Sequence, residues 1–299
     1  MRVDLILERL GSVAEAGRLR QFTSRAKIRR AVRRGTILRD VRGRYALPGA
    51  VEALRAANRL AGVLSLDSAA QHWGWELKRQ PERPSVTVPR NRKLPPSRRN
   101  GVRVRYADLT PNEIRGMATA PGATVMDCAS RLPFDEALAI ADSALRHKNV
   151  SKRQLRELAE RMPDRYRARC LRVAQEADGR AANPFESVLR AIALDVPGLE
   201  VVPQVVLAHG DFVVRPDLVD VRLRLVVEAD SFEWHGSRKA LTRDCARYNG
   251  LVRRRWIVLR FTWEHVMFQP EYVAAVLRDI VGWQPFGRAL EADRERFSA

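Results

Sequence analysis

Lysine is nearly absent from this 299-residue chain: six of its 54 basic residues are lysine, and arginine supplies the rest. GC-rich coding accounts for part of that bias, so the ratio by itself says little about function. Cysteine is scarce as well. Cys128, Cys170 and Cys245 lie far apart, odd in number and without a CxxC pair. That excludes a disulfide framework and a thiolate zinc site, and leaves reduced, mostly buried thiols. Any metal would then rest on oxygen or imidazole ligands. No apolar run approaches the ~18 residues needed to cross a bilayer. The opening MRVDLILERLG places Asp4 and Glu8 before a signal-peptide core can form. A cytoplasmic location and no membrane partner are expected. Acids are also in deficit, 35 against 54 bases, for a formal net charge of +19. With 45% hydrophobic and 30% charged residues the chain is globular rather than disordered, and long enough for two or three domains.

The placement of the charge carries more than its sum. Arg18 to Arg44 holds eleven basic residues against one acid, Asp40, and Arg90 to Arg105 holds seven against none. Such patches attract polyanions, and each phosphate contact releases counterions. The alternative is a solvated basic surface. In residues 3–16, apolar positions at Leu5, Ile6, Leu10 and Val13 predict a helix. Thr23 or Ser24 then caps a second helix with Ile28, Ala31 and Val32 inward and Arg25, Arg29, Arg30 and Arg33 outward, stopped at Gly35. Strands at Thr36–Arg39 and Arg44–Leu47 follow, with Arg42 in the turn between them and Arg44 just beyond. Helix, helix and basic hairpin make the pattern of a winged helix-turn-helix, which reads duplex DNA with its second helix. A small helical domain with an incidental hairpin is the rival.

Beyond Gly49 the sequence predicts helices over Val51–Ala61 and Leu66–Trp73, strands near Pro84–Val88 and Val102–Tyr106, and a proline-rich basic loop, PRNRKLPPSRRNG, between them. Residues 121–176 read as successive helices, Ser151 capping one of them. Asp127, Asp135, Glu136 and Asp142 read as helix-surface or capping acids, and Trp73 and Trp75 as core. The stretches TSRAKIRRAVRRGTILRDVRGRYALPG, LSLDSAAQHWG and PGATVMDCASRL resemble the AbiEi-type antitoxin and transcriptional-regulator layout over the first ~160 residues. That resemblance implies a winged helix and DNA binding; a toxin partner does not follow from it.

From Asn183 the texture changes. NPFESVLRAIAL is an amphipathic helix capped by Asn183, with Glu186 in its first turn. Strands are expected at Val201–Leu207, Phe212–Val214, Asp217–Val219 and Leu223–Ala229, then a basic helix Arg238–Arg254, the strand WIVLRF and a helix Glu271–Val281. Asp217 starts one strand, and Glu228 and Asp230 stand two apart in the next, on one face of it. An antiparallel pair of these strands brings Asp217 and Glu228 together around a hard cation, Mg²⁺ or Mn²⁺, which activates water and polarises a phosphoryl oxygen. His235, titrating near neutrality, is the candidate proton carrier. Asp217, Glu228 and Asp230 lie close together, with His235 following, in so basic a chain, and these acids repel one another unless a cation intervenes.

The stretches PFESVLR, PDLVD, VVEADSFEWHG and ALTRDCARYNGLVRRRWIVLRFTWEHV resemble the very-short-patch-repair-type endonucleases of the PD-(D/E)xK superfamily. The resemblance implies Asp217 and Glu228 as metal ligands, Glu186 as a helix-borne acid positioning the metal waters and His235 as the catalytic histidine. One departure stands out: Asp230 occupies the place of the superfamily lysine. The repair-type enzymes also lack that lysine and use histidine there, and Arg238, Lys239, Arg243 or Arg247 on the next helix could supply the cation; these four also serve as candidate DNA contacts. His209 reads as a solvated hairpin turn, His72 and His265 as structural, and Trp256 and Trp263 as packing the sheet. Arg260 points either at DNA or at the acidic cluster.

The expected fold class is therefore multidomain α+β and α/β: a winged helix over 1–50, a mixed, mainly helical region over 51–178 and a restriction-endonuclease-like α/β domain over 181–285. Two functions follow. One is a Mg²⁺-dependent endonuclease acting on DNA, duplex before single strand, with RNA less favoured. The other is an antitoxin-like regulator whose nuclease fold is inactive and serves binding.

Overall fold

The computed structural model describes residues 1–230 and 238–282, with side chains of the latter stretch from Thr242 onward. The described residues are mixed α/β with four separate sheets. It divides into two compact units, one formed by Met1–Leu132 with Asn149–Ala174, the other by Pro133–Lys148 with the chain from Gln175 on. No described helix is long and apolar enough to cross a membrane.

The first unit opens with α1 (Val3–Arg9), β1 (Val13–Glu15), α2 (Ala16–Arg20), α3 (Arg25–Arg33), β2 (Leu38–Val41) and β3 (Arg44–Ala46). The helix expected over 3–16 stops early, because Gly11 and Ser12 both take left-handed backbone, at φ +87° and +71°. Left-handed conformation cannot continue a right-handed helix, so Val13–Glu15 leaves extended and pairs with β3, Val13 opposite Ala46. The three strands run in the order β1-β3-β2. Ser24 caps α3, its hydroxyl accepting from the Lys27 amide, and Ile28 and Ala31 join Ile6, Leu7, Leu19 and Ile37 in one small core.

The rest of this unit carries α4 (Glu52–Leu60), β4 (Val63–Leu64), α5 (Leu66–His72), β5 (Ser85–Val88), α6 (Pro96–Arg99), β6 (Arg103–Tyr106), β7 (Ile114–Arg115), β8 (Ala118–Thr119) and α7 (Pro121–Arg131). Its five-stranded sheet has the order β6-β5-β4-β8-β7. Three of those strands are two residues long, too short to leave a period-two signature, and the sequence pattern shows only β5 and β6. Gly62 is obligatory here: a side chain would collide with the Thr87 carbonyl and with Val86 and Val88 of β5. Trp75 is buried and Trp73 packs on the same core, its indole donating to the Thr119 carbonyl. Asp127, expected at a helix surface, is instead buried against Arg105.

Helix α8 (Phe134–Arg146) belongs to the second unit, whereas α9 (Lys152–Glu160) and most of α10 (Asp164–Glu176) return to the first. Ser151 caps α9 through a reciprocal box with Gln154. The second unit continues with α11 (Pro184–Leu194), β9 (Val202–Pro203), β10 (Leu207–His209), β11 (Phe212–Val214), β12 (Leu218–Asp220), β13 (Leu225–Asp230), α12 (Arg238–Arg253), β14 (Ile257–Thr262), α13 (Trp263–Phe268) and α14 (Pro270–Gly282). Its main sheet has the order β14-β13-β12-β9, with β13 and β14 parallel and the other pairs antiparallel. One face buries Leu218, Leu225 and Val227 against α11, α13 and α14; the other buries Val219 and Val226 against Leu251 of α12. The single strand expected over Val201–Leu207 is split between two sheets. Gln204, at φ +56°, turns the chain between them. Trp256 packs as expected on the α12 face, but Trp263 is 44% exposed and packs edge-to-face with Phe268, outside the apolar clusters on the sheet.

One tie between α8 and α11 is electrostatic. Asp142, expected at a helix surface, is completely buried and accepts two hydrogen bonds from Arg190 Nη2, at 2.7 and 2.8 Å. A second Arg190 nitrogen donates to the Glu176 carbonyl, and the Asp178 amide also donates to Asp142. Two charges withdrawn from water in this way are stable only as a pair. Asp142→Ala, which strands the Arg190 cation, should cost about 3–5 kcal/mol of unfolding free energy. Replacing both by apolar residues of like volume, Asp142→Leu with Arg190→Met, should recover most of that loss in urea denaturation. A single variant as stable as the wild type would show that the pair contributes nothing.

Candidate functional site

The antiparallel register sets Leu218 opposite Val227 and thus Asp217 opposite Glu228. The Asp217 amide approaches Glu228 Oε2 at 3.4 Å, and Asp217 Oδ2 accepts from the Ala229 amide at 2.9 Å. Helix α11 brings the third acid. Asn183 caps it, Oδ1 accepting from the Glu186 amide and Nδ2 donating to Glu186 Oε1, while the Ala182 amide donates to Glu186 Oε2. Gln204 then links the acids: its Nε2 lies 3.0 Å from Glu186 Oε2 and 3.2 Å from Asp217 Oδ1. The structure thus brings Glu186, Asp217 and Glu228 to one place. Gln204 was not visible as a site residue in the sequence, because its position depends on a left-handed turn that no pattern announces.

Burial raises the pKa of all three acids. Glu228 is pushed up to about 8, first by desolvation and then by the charge of Asp217. Glu186 is pushed up to about 7 by the same two causes. Asp217 moves upward by desolvation, opposed by its hydrogen bond from Ala229. Arg247 supplies a partial remedy: its Nη2 stands 2.5 Å from Glu228 Oε1. Asp230 is ion-paired with Arg260, which settles the two orientations open to that arginine in favour of the acidic cluster. Arg260 and Arg247 both lie over the Tyr248 ring, at 4.2 and 5.6 Å. Burial near Glu228 pushes the Tyr248 hydroxyl up to about 12.

Arg243 is exposed on α12. Arg238 and Lys239 open that helix, their side chains outside the described residues, and His235 lies outside them altogether. Among the described residues no three His, Cys, Asp or Glu side chains are grouped as a metal site. His209 is exposed beside the β10–β11 turn; His72 packs edge-on to Trp73, and His265 helps cap α13.

In the first unit, Arg25, Arg29, Arg30 and Arg33 are all exposed on α3, and Arg42 is exposed at the hairpin turn. Arg44 is half-buried and reaches Glu15 at 3.4 Å, so part of its charge is spent within the protein. Asp40, the single acid of this stretch, is turned away to Arg55, at 2.5 Å, and leaves the α3 face uncompensated. A cavity between α3 and the hairpin is lined by Arg29, Arg30 and Arg33 and also by Arg39 and Tyr45. Arg39 extends the basic face beyond the positions picked out in the sequence.

The middle of this chain is similar to an antitoxin domain. Residues 60–173 match the family model of the AbiEi antitoxin C-terminal domain, a span that stops short of the carboxylate site. Two Mycobacterium tuberculosis proteins described as uncharacterized, MT2308 of strain CDC 1551 / Oshkosh and Rv2248 of strain ATCC 25618 / H37Rv, are each 29% identical over 164 residues. The match takes in 53% of this chain and 59% of each relative's length. A crystal structure of the RV2827C protein from Mycobacterium tuberculosis aligns with a TM-score of 0.34 at 20% identity, covering 62% of this chain and 78% of that one.

The raised carboxyls make stability depend on pH. Unfolded glutamate titrates near 4.3, whereas folded Glu186 and Glu228 titrate at about 7 and about 8. Between those limits the folded chain holds protons that the unfolded chain has released, so stability falls as pH rises. Thermal unfolding should show Tm declining from pH 5 to pH 8.5, and Glu228→Gln should flatten that decline. An equally steep decline in the variant would remove Glu228 as its cause.

Proposed function

We propose that the chain is an antitoxin-like, DNA-binding regulator that grips duplex DNA with the basic face of α3 and the β2–β3 hairpin. The observation that carries this reading is the run of exposed arginines on α3, with no acid paired to them among the described residues, beside Arg39 on the hairpin. The order α1-β1-α2-α3-β2-β3 suits a winged helix-turn-helix, with α3 in the major groove and the hairpin against the backbone. The AbiEi match over residues 60–173 supports a regulatory role, and a toxin would be the protein partner to seek. Changing Arg29, Arg30 and Arg33 to Ala should weaken duplex binding and lower its salt slope by about one unit per lost phosphate contact. Unchanged affinity across a salt series would leave α3 a merely solvated face.

The carboxylate arrangement favours a second reading, a DNA endonuclease. Asp217 and Glu228 offer hard oxygen donors whose mutual repulsion a divalent cation would relieve, which fits Mg²⁺ or Mn²⁺. Bound there, such an ion supplies an activated water and charge stabilisation at the scissile phosphate. Gln204 bridges Asp217 and Glu186, so Glu186 stands beside the two candidate ligands, where it would position a metal-bound water. Arg247 is ion-paired with Glu228 and is suited to meet phosphate charge in place of the missing lysine. His235, which lies outside the described residues, enters this reading as the candidate proton carrier from the sequence and from the resemblance.

Asp217→Asn should abolish Mg²⁺- or Mn²⁺-dependent cutting of plasmid and leave DNA binding intact or slightly tighter. His235→Ala should slow cutting by ~10²–10⁴-fold. A wild-type protein inert on duplex DNA, single strands and RNA, yet tight on a promoter site, would leave the regulator reading alone, with the second unit as a binding module.

A further inference from the structure

A second cationic site lies in the second unit, on the α12 face of its sheet. A cavity of about 550 Å³, within the ~300–1,000 Å³ range of small-ligand sites, opens between the β10–β11 hairpin and the end of α12. Arg224, Arg253, Arg254 and Arg255 line it together with Phe212 and Trp256, and no acid does. Elsewhere on this sheet arginines are matched to acids: Arg247 to Glu228, Arg260 to Asp230, and Arg222 to Glu200 and Asp220. Here none is. Arg253 and Arg255 are exposed, with no acid paired to either among the described residues.

The cavity is braced. The Arg254 guanidinium lies 4.1 Å from the centre of the Phe212 ring and donates to the Gly250 carbonyl. Arg224 lies 5.2 Å from the centre of Trp256 and donates to the carbonyls of Arg254 and Arg255. Gly250 permits this packing, since a side chain there would collide with Phe212. Arg224 and Arg255 both hold left-handed backbone, at φ +50° and +61°, a conformation that non-glycine residues adopt only under constraint. Arg254 Nε is buried without an acceptor among the described residues. Cations held in place and left uncompensated suit an anion that accepts several hydrogen bonds at once, and a guanidinium fork matches phosphate oxygens in particular.

We propose that this cavity binds phosphate groups, and is distinct from both the α3 face and the carboxylate pair. Along α12, the cavity residue Arg253 follows Arg247 by six residues, about 9 Å, so a ligand at the cavity need not touch Glu228. The phosphates belong either to a nucleic-acid strand or to a free polyphosphate, which share the same oxygen chemistry. Neither the regulator nor the nuclease reading is required for the site to exist.

The test uses the full chain carrying Arg29→Ala, Arg30→Ala and Arg33→Ala, so that α3 contributes little. Into it go Arg253→Ala and Arg255→Gly, the glycine also relieving the left-handed backbone, so the fold should persist and circular dichroism checks it. A control of equal charge loss changes exposed Arg156 and Arg161 to Ala. The probes are a fluorescein-labelled 12-nucleotide single strand and inorganic triphosphate, titrated at several salt concentrations. The cavity variant should bind at least one probe about tenfold more weakly than the control, with a lower salt slope. Loss for the strand alone identifies nucleic acid as the source, and loss for triphosphate alone identifies a free polyphosphate. Equal binding by cavity variant and control, or no binding of either probe by the parent triple variant, overturns the proposal.

Discussion

The antiparallel register of β12 and β13 is the constraint on which the second unit depends. It is fixed by burial on both faces: Leu218, Leu225 and Val227 on one side, Val219 and Val226 on the other. Strand side chains alternate with a period of two, so a slip of one residue would exchange these faces and expose or bury the wrong set. Because apolar packing specifies the register, Asp217 has no choice of partner and meets Glu228. The electrostatic discomfort of the acids is thus imposed by the core, and the chain answers it with Arg247 and Gln204 rather than by separating the carboxylates.

Helix α12 shows the two ways this chain deploys arginine. Towards the end of β13 its Arg247 is committed to a buried acid, stacked by Tyr248 beside the Arg260–Asp230 pair. Towards the start of β13 the arginines are braced by rings and carbonyls and have no acid to meet. The same contrast holds in the first unit, where Asp40 goes to Arg55 and leaves α3 bare. Net charge alone does not distinguish committed cations from available ones; only the partners do.

The caps and the long periodic helices were legible in the sequence, because Ser24, Ser151 and Asn183 act locally, within three residues of what they hold. The Asp217–Glu228 opposition was legible too, since it needs only two adjacent strands and the alternation along them. What escaped was set by distant partners or by backbone sign. Gln204 and Ser12 break expected elements by going left-handed, although neither is a glycine. Asp127 and Asp142 have the spacing of surface acids, and only tertiary packing turns them to Arg105 and Arg190. The two-residue strands β4, β7 and β8 are too brief for any period to show.

The buried Arg190–Asp142 pair joins a helix made early to one made some fifty residues later, and between them the chain contributes α9 and most of α10 to the other unit. The second unit is therefore discontinuous in sequence. During synthesis its first helix leaves the ribosome before the first unit is finished, and it must wait, with Asp142 uncompensated, until α11 emerges. Neither unit can be exchanged between genes as one unbroken cassette. A recombination point placed at the start of α11 would carry the carboxylates away from the helix that anchors their scaffold.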